Sequence, residues 1–477
     1  MTLHFYVVKS MVIAHFFIVK SVVVTHFFAV KNVKWCYKRV RGGVYMYRYA
    51  IEELFRWKEK PNRKPIIIQG ARHVGKTWLM KEFGKKSYTH TVYINFKDNE
   101  TMEDLFSYDL DTKRLITGME LYSGQKIDPD NTLIIFDEVQ EVPRALTSLK
   151  YFNENAPEYH IVCACSFMGI ALHQGTSFPV GKVDFIDLYP LNFKEFLMAT
   201  GKERFVELLD QQDYQMITSF KQIYIDALKQ YYFVGGMPEA VQCFANYNDY
   251  NEVRTIQKKI LSTYDNDFSK HAPNGIVPKI RMLWNSIPSQ LAKENKKFIY
   301  GLIRTGARAK EYETAIMWLS DCGFIHQISR VNQARIPLKA YADLKAFKIY
   351  LLDVGLLGCM SHLNQKTIIE GDSLFVEFKG AMTEQYVCQQ LKTIEDLDVY
   401  YYTNDRGNCE IDFVIDRNNQ IIPIEVKEEE NLKAKSLKTY SEKFSPDISV
   451  RTSMSDYRKE DWLINLPLYA IEEINEL

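Results

Sequence analysis

Short apolar runs alternate with amphipathic stretches through the first third of the chain. Residues 65–69 predict a buried strand, and residues 78–83 begin an amphipathic helix. Further apolar runs at residues 91–98, 131–138 and 159–166 predict three more strands. We therefore predict an α/β fold whose first part is a parallel sheet flanked by helices.

The middle of the chain has a helical pattern. Residues from about 190 to 285 are rich in helix, and residues 235–238 (GGMP) interrupt them as a hinge between two helices would. Residues 287–325 predict a helix, a turn and a second helix. Near the end, residues 410–415 and 421–427 alternate apolar and polar positions, which predicts two strands.

The first 45 residues repeat a pattern of eleven residues three times. Lys9, Lys20 and Lys31 interrupt the apolar runs of this pattern. A lysine at the centre of a bilayer costs about 2.5–3.5 kcal/mol, so the pattern does not predict a membrane anchor. It also lacks the basic start and the small-residue cleavage site of a secretory signal. We expect residues 1–45 to lie outside the folded unit, with Met46 as an alternative start.

Length and composition are those of an ordinary globular protein. The 477 residues are enough for about two to four domains. Sixty basic and 60 acidic residues balance, so no overall positive charge indicates nucleic acid as a partner. The eight cysteines include no CxxC pair and support neither a zinc site nor a disulfide framework. Such cysteine usage is typical of a reducing cytoplasm, where we expect this protein.

The strand at residues 65–69 is followed by a glycine-rich loop. Residues 70–77 read GARHVGKT and match the pattern G-x-x-x-x-G-K-[ST] at every fixed position. The glycines allow a tight turn, so successive N–H groups can face a polyphosphate at the start of a helix. Lys76 would reach the β- and γ-phosphates, and Thr77 would offer its hydroxyl to Mg²⁺. The predicted nucleotide-binding residues are Gly70, Ala71, Arg72, His73, Val74, Gly75, Lys76, Thr77 and, from the next motif, Asp137.

A second motif completes an ATP site. The strand at residues 131–138 ends in Asp137, which would hold Mg²⁺, and Glu138, which would polarise the attacking water. The strand at residues 91–98 lies between the motifs, as in P-loop ATPases whose two motif strands are separated by an extra strand. Ser166 ends the next apolar run, where a polar side chain would report the γ-phosphate; the alternative is an ordinary strand end. The predicted catalytic residues are Lys76, Glu138 and Ser166, and the predicted cofactors are ATP and Mg²⁺.

Seven motifs in order resemble one known group of proteins. They read GARHVGKT, TLIIFDEVQ, FPVGKVDFIDLYPLNFKEFL, YYFVGGMPEAV, FKIYLLDVGLL, EIDFVI and PIEVK, and they span about residues 46 to 470. The series resembles bacterial AAA-type P-loop ATPases of largely unknown function that carry a C-terminal domain related to PD-(D/E)XK nucleases. Two positions depart from that group. His73 stands where such proteins often have Gln, and Cys165 stands where a Gly usually precedes Ser166.

The resemblance implies an order of domains. An ATPase core is followed by a helical lid, a winged-helix-like module and an αβ domain of the PD-(D/E)XK type. The predicted boundaries are residues 46–200, 201–285, 286–368 and 369–477, after the extension at residues 1–45. In the winged-helix-like module, basic residues near the start of the helix at residues 309–319 would allow DNA contact. Acidic neighbours favour instead a helix that packs against the rest of the protein.

A nuclease of this type needs carboxylates that hold Mg²⁺ and a lysine that positions water. The resemblance puts Glu384, Asp412 and Glu425 in the metal-binding role and Lys427 in the lysine role. Period-two alternation sets Glu425 and Lys427 on one face of a strand. The charge of residues 371–477 opposes cleavage, because 22 acidic and 12 basic residues give a net charge of −10. Phosphate backbones are bound mainly by basic groups.

We therefore predict an AAA-type ATPase in which Mg²⁺-dependent ATP hydrolysis drives a conformational switch, coupled to nucleic acid or to a protein partner. The first alternative is an ATP-regulated, metal-dependent nuclease. The second is a nucleotide-gated interaction protein whose C-terminal domain docks a partner without cutting it. Arg144 and Arg308 are considered for the arginine that stabilises the transferred phosphoryl group, and a homo-oligomer that supplies it from a neighbouring subunit stays open. The sequence offers no convincing membrane segment.

Overall fold

A parallel sheet forms the first part of the folded chain. The computed structural model describes residues 46–166, 179–293, 297–371, 376–404, 409–428 and 434–477, so the expectation for residues 1–45 lies outside the described residues. The sheet has five strands in the order β2-β3-β4-β1-β5, all parallel. Their bounds are Ile66–Gly70 for β1, His90–Asn95 for β2, Thr132–Asp137 for β3, His160–Ser166 for β4 and Asp184–Asp187 for β5. The apolar runs of β1, β3 and β4 are buried, as expected of central parallel strands.

The position of β2 differs from the sequence interpretation. β4 pairs with β1 on one side and with β3 on the other, so β4 separates the two motif strands in the sheet. β2, which lies between the motifs in sequence, pairs with β3 at the edge of the sheet. After β1, the chain passes through a helix and enters the sheet again at β2, which leaves two strand positions between β1 and β2. β3 and β4 later fill these two positions. Order along the chain therefore did not predict order in the sheet.

Five helices flank this sheet. They are α1 (Ala50–Lys58), α2 (Lys76–Ser87), α3 (Glu100–Tyr108), α4 (Thr112–Ser123) and α5 (Pro143–Asn155). Apolar residues of α3, α4 and α5 share a core with β2, β3 and β4, in which the rings of Phe96, Phe106 and Phe136 contact edge to face. The predicted α/β fold with a parallel sheet flanked by helices is confirmed.

Six helices follow β5 in the region predicted to be helical. They are α6 (Phe193–Ala199), α7 (Glu203–Asp210), α8 (Tyr214–Ser219), α9 (Lys221–Val234), α10 (Pro238–Tyr247) and α11 (Tyr250–His271). The predicted turn at residues 235–238 lies between α9 and α10. Within the described ranges, none of the helices has the length and apolar character needed to span a membrane.

The last part of the chain forms one sheet of eight strands in the order β12-β13-β11-β10-β9-β8-β6-β7. The strands are β6 (Ile325–Val331), β7 (Ala342–Leu351), β8 (Val399–Thr403), β9 (Glu410–Arg417), β10 (Gln420–Val426), β11 (Val450–Ser453), β12 (Arg458–Lys459) and β13 (Ile464–Pro467). The accompanying helices are α12 (Val277–Leu291), α13 (Ala309–Asp321), α14 (Val354–Met360), α15 (Val376–Lys392) and α16 (Lys435–Phe444). Because β6 pairs with β8, strand pairing crosses the domain boundary predicted at residue 368. The winged-helix-like and nuclease-like assignments are not confirmed.

One buried carboxylate joins the helical region to the second sheet. Asp353 is fully buried, and its side chain accepts hydrogen bonds from Gly236 N at 2.6 Å, Leu356 N at 2.9 Å and Gln389 Nε2 at 3.1 Å. These donors belong to the turn before α10, to α14 and to α15. The pKa of Asp353 is raised by burial, although the backbone N–H groups oppose the shift. Gly235 allows this close packing, because it has no side chain and its backbone lies directly against the Asp353 carboxylate.

Gly235→Ala should destabilise the protein through this junction. Gly235 has φ +73° and ψ −165°, a region that costs a residue with a side chain about 1–3 kcal/mol. An added Cβ would also overlap Asp353 Oδ1. We expect a lower midpoint of urea unfolding than for Gly201→Ala, since Gly201 has φ +76° but no atom within 4 Å of an added Cβ. Equal shifts for the two variants would contradict a specific role for the Asp353 contact.

Candidate nucleotide-binding site

The predicted phosphate loop is a tight turn between β1 and α2. β1 ends at Gly70 and α2 begins at Lys76, so all eight residues of the GARHVGKT motif lie on or beside this turn. Gly75 caps α2 with φ +97°, a left-handed conformation that residues with a side chain rarely adopt. The N-terminus of α2 therefore meets the loop, where free N–H groups and the helix dipole favour an anion.

Lys76 points back across this loop. Its Nζ donates to the carbonyl oxygens of Gly70 at 3.0 Å and of Ala71 at 2.9 Å. Burial lowers the pKa of Lys76 to about 8, although the nearby Glu138 opposes the shift. The ammonium group is thus held inside the loop, at the place where the motif requires a phosphate-binding cation.

The two predicted magnesium ligands are in direct contact. Thr77 Oγ1 donates to Asp137 Oδ2 at 2.8 Å, although the residues are 60 positions apart in sequence. Tyr93 on β2 donates its hydroxyl to the same oxygen at 2.8 Å. A hydroxyl and a carboxylate are hard oxygen donors of the kind that Mg²⁺ prefers, so the residues present fit this ion. No motif pointed to Tyr93, because its contact with Asp137 depends on the pairing of β2 with β3.

Glu138 and Ser166 lie at the carboxyl ends of neighbouring strands. Glu138 follows β3 with φ +52°, and Gln140 Nε2 donates to its Oε2. Ser166 ends β4, is buried, and is in register with Gly70 at the start of the loop. The structure therefore brings both predicted catalytic side chains to the edge of the sheet that carries the phosphate loop.

Arg48 holds the phosphate loop by a hydrogen bond to its backbone, and no motif in the sequence pointed to this residue. This buried residue donates from Nη1 to Val74 O at 2.8 Å and from Nη2 to Tyr189 O at 2.5 Å. Its Nε pairs with Glu195 Oε2 at 3.2 Å. Glu195 in turn closes a capping box at the start of α6, which fixes its side chain. One guanidinium thus ties the phosphate loop to the helix that follows the sheet.

The carboxyl-terminal end of α11 covers the loop from another side. Tyr264 donates its hydroxyl to Arg72 O at 2.8 Å, and the ring of His73 lies 6.2 Å from the ring of Tyr264. The guanidinium of Arg72 forms an ion pair with Asp267, one turn further along α11. Burial lowers the pKa of His73 and raises that of Asp267. The loop residues that the motif leaves variable are here the ones that contact the helical region.

The two arginines considered for phosphoryl transfer have different surroundings. Arg144 Nε donates to Phe106 O at 2.8 Å, which ties it to the end of α3. Arg308 lies exposed at the start of α13, and its neighbour Arg304 pairs with Glu311 at 2.9 Å. The assignment of either arginine to phosphoryl transfer stays a prediction.

The predicted nuclease residues are held by other contacts. Asp412 Oδ2 accepts a hydrogen bond from Val426 N at 2.8 Å, and Lys427 Nζ pairs with Glu425 Oε1 at 3.0 Å. Glu384 lies on α15 and accepts the hydroxyl of Tyr350 at 3.1 Å. Across the residues that the structure describes, no group of three or more His, Cys, Asp or Glu side chains could hold a metal ion. The metal-binding role of Glu384, Asp412 and Glu425 stays a prediction.

A buried lysine lies between Glu384, one of the predicted metal ligands, and Glu410. Lys348 on β7 is fully buried, with its Nζ 2.6 Å from Glu410 Oε1 and 3.8 Å from Glu384 Oε2. Burial alone would lower the pKa of Lys348, but Glu384, Glu410 and Asp412 raise it above its ordinary value. The sequence carried a signal that was missed, because a single lysine within the apolar run FKIYLLDV needs a buried acidic partner.

Comparison with known families agrees with the geometry of the first domain. Residues 62–197 match a family described as AAA domain. This part of the chain is therefore similar to AAA-type P-loop domains. Residues 225–367 and 379–470 match two families that are each described as a domain of unknown function, DUF8612 and DUF4143. Neither description names a winged helix or a nuclease.

Comparison with solved structures gave distant similarities. The Walker-type ATPase PABY2304 of Pyrococcus abyssi is 12% identical, with a TM-score of 0.40 over 66% of this chain and 96% of that chain. A RuvB variant of Thermotoga maritima is 15% identical. The match has a TM-score of 0.25 and covers 61% of this chain and 90% of that chain. The Pif1 helicase of Candida albicans is 13% identical. The match has a TM-score of 0.21 and covers 34% of this chain and 42% of that chain. These values carry no argument about function, and a comparison with proteins of curated function gave no match.

Arg48→Lys should weaken nucleotide binding without touching the nucleotide. A lysine has one ammonium group and cannot hold Val74, Tyr189 and Glu195 together. We expect titration with a fluorescent ATP analogue to show about tenfold weaker binding, equivalent to roughly 1.4 kcal/mol. Arg56→Lys is the matched control, because Arg56 forms an exposed pair with Glu395 at 3.5 Å. Unchanged affinity in Arg48→Lys would show that the loop holds its shape without this support.

Proposed function

We propose that this protein binds ATP and hydrolyses it with Mg²⁺, and that the cycle drives a conformational switch. The contact between Thr77 Oγ1 and Asp137 Oδ2 carries the proposal, because it joins the two motifs at one point beside Lys76. A loop that matched the motif by chance would have no reason to meet an acidic strand end in this way. The AAA family match over residues 62–197 supports the same activity.

Each residue of the site has a defined role in this proposal. The N–H groups of the loop and the ammonium of Lys76 bind the phosphates, and Thr77 with Asp137 would hold Mg²⁺. The ion would neutralise charge on the phosphate oxygens during hydrolysis. Glu138 orients and polarises the attacking water, and Gln140 restrains the Glu138 carboxylate. Ser166, at the end of β4, donates to the terminal phosphate.

The conformational switch would act through α11. This helix contacts the phosphate loop through Tyr264 and Asp267 at one end. Nearer its other end, Gln257 Nε2 donates to Val234 O at 2.9 Å, next to the Gly235 turn. Helices transmit displacement well because their backbone hydrogen bonds keep them rigid. A change at the loop would therefore reach the junction at Asp353 and the second sheet behind it.

For the C-terminal domain, we favour docking of a partner over cleavage of nucleic acid. The specific observation is Lys348, whose ammonium lies against Glu384 and Glu410. A divalent cation brought to Glu384 and Glu410 would be repelled by this buried positive charge, which already offsets part of their negative charge. The net charge of −10 over residues 371–477 also disfavours a phosphate backbone. We propose a protein as the partner, with nucleic acid and self-association as the alternatives.

Glu138→Gln tests the ATPase assignment. The amide cannot polarise water as a carboxylate does, but it leaves the binding loop intact. We expect hydrolysis to fall at least about a hundredfold while ATP stays bound. Lys76→Ala should instead abolish binding of the fluorescent analogue.

Two exposed residues give matched controls for this test, one shortly after Glu138 and one in the last turn of α2. Glu141→Gln and Lys85→Ala should both behave like the unmodified protein, since both side chains are exposed. Turnover in Glu138→Gln at the unmodified rate, or binding retained in Lys76→Ala, would refute the proposed function.

Metal binding tests the choice between docking and cleavage. Calorimetry of the nucleotide-free full chain with Mn²⁺ should show no uptake at the C-terminal carboxylates, because the Lys348 ammonium offsets part of their charge and repels a second cation. Lys348→Met should create Mn²⁺ uptake, and a second substitution, Glu384→Gln, should remove it again. Lys348→Arg keeps the charge and should behave like the unmodified chain.

The nuclease alternative makes the opposite prediction. Mn²⁺ uptake by the unmodified chain that Glu384→Gln abolishes would contradict the docking proposal. Cleavage of labelled DNA or RNA by the unmodified chain but not by Lys427→Ala would establish the nuclease.

A further inference from the structure

Arg72 links the phosphate loop to α11 through both its side chain and its backbone. Its guanidinium pairs with Asp267 on α11, and its carbonyl accepts the hydroxyl of Tyr264. The Arg72 side chain keeps 25% of its exposure, whereas Asp267 keeps 5%. The arginine is therefore at the border of the site, and its partner is inside the protein.

Asp267 is a poorly satisfied acid. Its Oδ2 is buried and has no hydrogen-bond partner among the described residues, so its ion pair with Arg72 is its main compensation. Burial raises the pKa of Asp267, and the Glu138 carboxylate raises it further, while Arg72 opposes both effects. A buried carboxylate of this kind depends on the cation that faces it.

Arg72 also belongs to the charge cluster of the nucleotide site. Its positive charge acts on Lys76, and the charge of Glu138 acts on Asp267 across the same space. Arg72 lies four residues before Lys76, on the loop whose N–H groups face the phosphates. A guanidinium is the side chain best suited to hold phosphate oxygens, because it offers a planar fork of donors.

We propose that the Arg72 guanidinium exchanges Asp267 for the terminal phosphate of bound ATP. This inference rests on the proposed function of the site. Asp267 and the terminal phosphate are both anions, and they compete for one guanidinium. ADP lacks the terminal phosphate and leaves Arg72 with Asp267. The exchange therefore distinguishes the triphosphate from the diphosphate.

The exchange has a direct consequence for α11. When Arg72 leaves, Asp267 becomes an unpaired buried acid, and the end of α11 loses its ionic anchor on the loop. The opposite end of α11 stays attached, because Arg254 Nη2 donates to Leu363 O at 2.8 Å. ATP thus removes one of the two contacts at this end of the helix and leaves the Tyr264 hydrogen bond to Arg72 O, while the other end stays fixed to the C-terminal half of the chain.

The experiment compares ATP with ADP affinity by calorimetry in Mg²⁺. Asp267→Asn removes the competing charge, so ATP should bind about threefold or more tightly while ADP affinity stays within about twofold. Arg72→Gln should weaken ATP binding about tenfold, and the ratio of ATP to ADP affinity should therefore fall. The double variant should match Arg72→Gln, since Asp267 acts on ATP only through Arg72.

Asp265→Asn is the matched control on the same helix. The Asp265 side chain is about half exposed and pairs with Arg281 at 2.9 Å, so its loss should leave both affinities unchanged. If Asp267→Asn fails to fold, Arg72→Lys gives the same decision. It keeps the charge but loses the fork, and the ratio of ATP to ADP affinity should fall.

Two results would overturn the exchange. The first is an unchanged affinity ratio in Arg72→Gln or Arg72→Lys, and the second is an equal loss of ATP and ADP binding in Asp267→Asn. Either would make the pair a structural ion pair only. Absence of ATP binding by the unmodified chain would instead refute the proposed function itself, so the two failures are distinguishable.

Discussion

The buried carboxylate of Asp353 is the constraint on which the arrangement of the chain depends. A charged group inside a protein is tolerated only when hydrogen bonds replace its water. Here the donors come from the turn before α10, from the start of α14 and from α15, so the carboxylate fixes all three at one point. The glycines of the turn make this possible, because any side chain at Gly235 would occupy the space of the carboxylate.

The nucleotide site is connected to this junction by short steps. An added Cβ on Gly75 would lie 3.5 Å from Pro238 Cγ, so the start of α10 is next to the phosphate loop. The same turn that holds Asp353 therefore also borders the site. α11 makes a second connection, through Tyr264 at the loop and Gln257 near the turn. Two routes therefore connect the nucleotide site to the junction at Asp353.

The sequence predicted what is local and missed what is not. The loop from Gly70 to Thr77 was predictable because its chemistry and its turn are encoded in eight adjacent residues. Arg48 pairs with Glu195 across 147 positions and Arg72 pairs with Asp267 across 195, and no spacing rule connects such residues. The strand that separates the two motif strands was misidentified for the same reason. It is β4, and its pairing with β1 and β3 depends on the path of two crossovers. Glu384 lies on α15, and its partner Lys348 lies on β7, within another predicted domain.

The contacts of α15 indicate what the C-terminal domain is built for. Gln385 exchanges two hydrogen bonds with the backbone of Leu351, and Gln390 Oε1 accepts Phe193 N at 2.7 Å from the far side. These glutamines satisfy backbone groups of β7 in the second sheet and of α6, the helix that follows the first sheet. α15 therefore holds the two halves of the chain together. If ATP displaces the phosphate loop as proposed, α15 would carry that displacement into the second sheet, whose surface is where we propose that a partner docks.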